Sequence, residues 1–75
     1  MPRYRNLNGN SGVTGYEAGP DFILVRFRKE GRYLYNYEKP GRSTVEKMKR
    51  LAADGRGLST FISRQVRENY AKRLD

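Results

Sequence analysis

Two runs, FILVRFR at residues 22 to 28 and RYLYNY at residues 32 to 37, are separated only by Lys29, Glu30 and Gly31. Both are built from aliphatic, β-branched or aromatic residues, so the pair reads as a β-hairpin, and the register of its strands constrains everything packed against them. A three-residue hairpin loop uses a type I turn followed by a residue in the left-handed region. Glycine takes that conformation without steric penalty, and Gly31 stands at the third loop position.

If Arg28 and Arg32 flank the loop as a pair, Phe27 faces Tyr33, Val25 faces Tyr35 and Ile23 faces Tyr37. These six share one side of the sheet, too apolar to stay wet, and helices are expected to cover it. The other side then holds Leu24, Arg26, Arg28, Arg32, Leu34 and Asn36. A two-residue loop at Glu30-Gly31 would instead set the tyrosines beside Arg26 and Arg28, making a basic aromatic platform of the kind that stacks bases. The first register is preferred because it keeps the large rings with the aliphatic residues. It makes the tyrosines mainly structural, with Tyr35 the most buried and Tyr33 or Tyr37 offering a hydroxyl at the rim.

Ahead of the hairpin, residues 1 to 10 have no apolar periodicity and read as a flexible basic arm. VTGY at 13 to 16 reads as a short strand, and EAGPD at 17 to 21 holds a Gly-Pro turn signal. After the hairpin, Pro40 and Gly41 break the sheet. Ser43-Thr44-Val45-Glu46 fits a capping box, with Val45, Met48, Leu51 and Ala52 facing the sheet and Gly55 closing the helix. A second helix is expected from about Ser59 to Arg73, with Leu58, Phe61, Ile62, Val66 and Tyr70 as its apolar stripe. The fold class is therefore α+β: a three-stranded antiparallel meander packed on one face by two C-terminal helices, with residues 11 to 75 forming a single domain.

Charge and missing residue types limit what such a domain does. Sixteen Lys and Arg against eight Asp and Glu give a net charge of +8, which favours a polyanionic partner, nucleic acid ahead of a membrane. The chain has no Cys and no His, which removes thiol nucleophiles, disulfides and imidazole acid-base chemistry. The carboxylates are scattered over turns and helix surfaces, GRG at 55 to 57 lacks the spacing of a phosphate loop, and Ser59 and Ser63 have no base to activate them. No enzyme, cofactor or metal site is expected. FILV is too short to span a bilayer and no leader pattern is visible, so the chain reads as cytoplasmic.

The order of these features resembles the KTSC domain, found at the C-terminus of some lysyl-tRNA synthetases and as small stand-alone bacterial and phage proteins. The resemblance runs over about residues 11 to 72. Tyr16 matches the Tyr after the first strand, Val25 and Phe27 match the apolar-x-Phe ending the second, and Val66, Arg67 and Tyr70 match the final apolar-Arg-x-x-Tyr element. Both Tyr33-Leu34-Tyr35 and Tyr35-Asn36-Tyr37 fit the central Tyr-x-Tyr. ADGRG is followed by a longer run to Val66 than the pattern has, and residues 1 to 10 have no counterpart in it. The resemblance implies a domain of uncharacterised role, with RNA binding suggested by its attachment to a tRNA-charging enzyme.

These readings converge on a small non-enzymatic binding module, with nucleic acid, RNA ahead of DNA, as the leading ligand. Residues 41 to 75 hold nine of the basic residues and four acidic ones. Phosphate contacts are assigned to Arg42, Lys47, Lys49, Arg50, Arg56, Arg64 and Arg67, on the helix faces and the connection between them. Arg26, Arg28 and Arg32 form a second candidate patch on the far sheet face. The alternative is a protein-interaction adaptor docking through its sheet face or an edge strand, since Arg and Tyr are enriched in protein interfaces too. The sequence leaves the oligomeric state open.

Overall fold

The computed structural model describes residues 12–29 and 31–74. The arm expected at 1 to 10 lies outside the described residues. Strands β1 (Val13–Ala18), β2 (Phe22–Phe27) and β3 (Gly31–Asn36) form the antiparallel meander, and β4 (Lys72–Arg73) adds a fourth strand beside β3. Helix α1 (Arg42–Asp54) and the short α2 (Leu58–Phe61), which runs on into a π-helical segment at Ile62–Val66, pack against one face.

The hairpin is built as a core-facing tyrosine register, two residues away from the expected pairing. Arg26 pairs with Arg32, Val25 with Tyr33 and Ile23 with Tyr35. A slip of two leaves every side chain on its own face, because strand side chains alternate with period two, so the apolar pattern could not separate the two pairings. The far end of the ladder decides. The Asn36 side-chain oxygen accepts from the amides of Glu38 and Lys39, a local turn that ends β3 opposite Phe22 and leaves Tyr37 beyond the strand. Gly31 keeps its positive φ of 91° but opens the strand.

Ile23, Val25 and Tyr35 form the sheet side of the core, each at most 1 % exposed. Across it lie Val45, Met48 and Ala52 of α1, and Leu58, Ile62 and Val66 of the second helical stretch. The apolar spacings read in the sequence therefore mark the buried faces correctly. Leu51, Phe61 and Tyr70 are half-buried at the margin.

Two expectations are corrected. The capping box does not form: α1 begins two residues earlier, with Gly41 as its N-cap at φ 118° and no side-chain cap. That backbone angle strains any residue with a Cβ, so the glycine after Pro40 sets the start, and Glu46 turns to a tertiary partner instead. The second helix does not reach Arg73. It ends at Val66, and residues 66 to 69 turn the chain back, closed by the Asn69 amide donating to the Val66 carbonyl. The returning segment satisfies the free edge of β3, with the Ala71 amide donating to Leu34 and that of Leu74 to Arg32. No described helix is long and apolar enough to cross a membrane.

Candidate functional site

The seven basic residues assigned to the helical half are placed in different surroundings. On α1, successive residues advance by about 100°, so Arg42, Glu46 and Lys49 share one flank while Lys47 lies on the other. Lys49 is tied down, its ammonium 2.8 Å from Glu46 Oε2 and 3.0 Å from the Pro20 carbonyl. Arg42 sits over the Tyr37 ring at 5.7 Å, and Lys47 over the Phe61 ring at 5.3 Å. Arg50, Arg56, Arg64 and Arg67 are exposed, and no carboxylate of a described residue pairs with any of them. In the second patch, Arg26 and Arg32 stand directly opposite each other on the uncovered sheet face. Arg28 lies in the loop, its backbone amide bonded to Gly12.

Two polar clusters emerge, at opposite ends of the β3 segment. The first joins the β1–β2 turn, the end of β3 and α1. The Tyr37 hydroxyl donates to Glu46 Oε2 at 2.6 Å and lies 3.0 Å from the Pro20 carbonyl, while Lys49 bonds the same two acceptors. The hydrogen bond from Lys49, then that from Tyr37, holds the Glu46 carboxyl below its ordinary range. The same bond to Glu46, aided by desolvation, raises Tyr37 above its ordinary value. This cluster is a clasp: its donors and acceptors are matched internally, and it holds α1 against the hairpin.

The second lies at the other end of Tyr35. A groove of about 530 Å³ opens between the inner face of β3 and the helical segment that ends at Val66. Phe27, Tyr33 and Tyr70 border it on the sheet side, Ser59 and Ser63 on the helix side, with Arg67, Glu68 and Arg73 also on its lining. The rings meet edge to face. Tyr33 contacts Phe27 at 5.4 Å and 87°, and Tyr70 at 4.7 Å and 76°, arrangements favoured by the ring quadrupole. The Arg73 guanidinium covers Tyr33 at 5.5 Å.

The groove exists because of how the second helix ends. At Ile62–Val66 the helix widens, and the Arg67 amide donates to the Ile62 carbonyl five residues back. Arg67 then adopts φ 54°, ψ −124°, the first corner of a type II′ turn, where glycine is the usual occupant. An arginine there costs about 1–3 kcal/mol of backbone strain, and such outliers concentrate at functional sites. Sequence reasoning assigned Arg67 to an outward helix face and missed Tyr70 and Arg73 as groove residues. No glycine or proline at residues 66 to 69 signals the turn, so local sequence carried no warning of it.

No group of three or more potential metal ligands gathers among the described residues. No family model, curated protein or solved structure matches the chain.

Proposed function

We propose that this chain is a small nucleic-acid-binding module that grips the phosphate backbone through its helical half. The observation that supports this most is the set of four exposed arginines, Arg50, Arg56, Arg64 and Arg67, with no carboxylate of a described residue to neutralise them, in a chain of net charge +8. Unpaired like charges raise the energy of the free protein, and a phosphate backbone relieves that repulsion while releasing condensed counterions. Arg42, over Tyr37, and Lys47, over Phe61, add positive charge on the two opposite flanks of α1. Lys49 is withdrawn from the set by Glu46. The resemblance to the KTSC domain is the reason for placing RNA ahead of DNA, and the absence of Cys and His from the sequence is the reason for reading a binder over a catalyst.

An amide NMR titration with short single-stranded RNA, repeated at rising salt, tests this reading. Shifts on residues 42 to 67 are expected, with affinity falling at a log–log salt slope of about −3 if four phosphates are neutralised. Absence of any salt-dependent shift would overturn it and move the reading to a protein partner docked on the sheet face or an edge.

A further inference from the structure

We propose that the groove between β3 and the Ile62–Val66 segment seats one unstacked nucleotide of a single strand, its base against Tyr33 and Tyr70 and its phosphate on Arg67. This rests on the nucleic-acid reading above and names the part of the ligand that the domain distinguishes. The volume of about 530 Å³ lies within the range of small-ligand sites and takes one base with its sugar and phosphate, whereas bases stacked and paired in a duplex cannot enter.

The lining suits that occupant on each side. Tyr33 and Tyr70 are half-buried on the lining, and with Arg73 over the Tyr33 ring an entering base would meet the ring surface that these contacts leave exposed to the groove. Ser59 and Ser63 lie one helical turn apart on the facing wall, and hydroxyls both donate and accept toward a base edge. Among the described residues of the lining Glu68 is the one carboxylate, and Arg67, which pairs with no carboxylate of a described residue, offers the groove its contact for an anion. Arg67 is held at its turn in a glycine-favoured conformation, a placement that packing of the domain does not require of an arginine. Arg26 and Arg32, opposite each other on β2 and β3, are not on the lining of this groove.

The strained turn supplies the test. Arg67→Gly removes the guanidinium while fitting the backbone better than the native residue, so loss of binding cannot be ascribed to misfolding, and a thermal melt verifies this. Fluorescence anisotropy is measured with a labelled RNA decamer, alone and annealed to its complement, against the native protein, Arg67→Gly and the control Arg50→Ala. The expected result is preference of the native protein for the single strand and about tenfold weaker single-strand binding by Arg67→Gly. Duplex affinity should fall no more in Arg67→Gly than in Arg50→Ala, and Tyr33 and Tyr70 ring protons should shift upfield with the single strand. Equal losses for Arg67→Gly and Arg50→Ala on the single strand, or unmoved ring protons, would overturn the groove while leaving the nucleic-acid reading intact. Absence of salt-dependent binding to both probes would remove both.

Discussion

Tyr33 and Tyr37 flank Tyr35 on the same stretch of chain, yet they belong to opposite kinds of surface. Tyr37 is closed on itself: its hydroxyl donates to Glu46, Lys49 neutralises Glu46, and Arg42 and Lys49 lie over its ring. Tyr33 sits in a ring cluster whose margin is an open groove with arginines along it. Matched polar groups hold a fold together and have little left to offer a ligand. Aromatic surface beside cations, bordered by a strained turn, is arranged the other way. The fully buried Tyr35 between them is the hinge of the comparison, since both ends depend on its packing.

Breaking that hinge gives the largest effect. Tyr35→Ala deletes a ring that is 1 % exposed and is expected to destabilise the domain by about 3–5 kcal/mol, comparable with the whole stability of a chain this size. Urea denaturation followed by circular dichroism checks it, and a Tyr35→Ala as stable as the native chain would contradict the central role given to this ring.

Arg67→Gly sharpens the contrast at the open end. Relief of strain, less the entropy of an added glycine, should raise stability by about 1 kcal/mol, read from the same urea curves, while single-strand binding falls. At the closed end Tyr37→Phe should do the reverse, lowering the thermal midpoint and leaving oligonucleotide affinity unchanged in anisotropy. Stability and affinity thus separate in opposite directions at the two ends, and a common direction at both would dissolve the distinction.

The smallest effect is the pH dependence of the clasp. Glu46 releases its proton more readily folded than unfolded, so its contribution is present at neutral pH and is lost as pH falls below the ordinary carboxylate range and through the lower folded value. Tyr37 holds its proton more tightly when folded, so its contribution is complete below its ordinary value of 10.0 and is lost as pH rises through the raised one. Thermal melts of native protein and Glu46→Gln across pH should show a flatter acid limb in the variant.

Much of the architecture was legible because it depends on short-range pattern. Alternation in FILVRF and RYLYN fixes which side of each strand is apolar, and the spacing of Val45, Met48 and Ala52 fixes the buried face of α1. Gly55, at φ 77°, closes that helix as its position implied. The candidate groove was not legible, because it is made where a local preference lost to a distant one. VRENYAKR has a helical spacing of apolar residues, but the edge of β3 offered unsatisfied backbone groups, and pairing Lys72 and Arg73 there required the chain to turn at Arg67. The capping box failed for a related reason, since Tyr37 stands close enough to take Glu46 from it.

By itself, then, the sequence determined the α+β class, the burial of Tyr35, the apolar faces and the excess of positive charge, all properties of residue identity and period. Tertiary structure decided the hairpin pairing, the end of the second helix, the fourth strand and the division of the cations between clasp, rings and groove. Each of these depends on which backbone or side-chain partner lies nearest after the chain has folded, a long-range distance that no local spacing encodes.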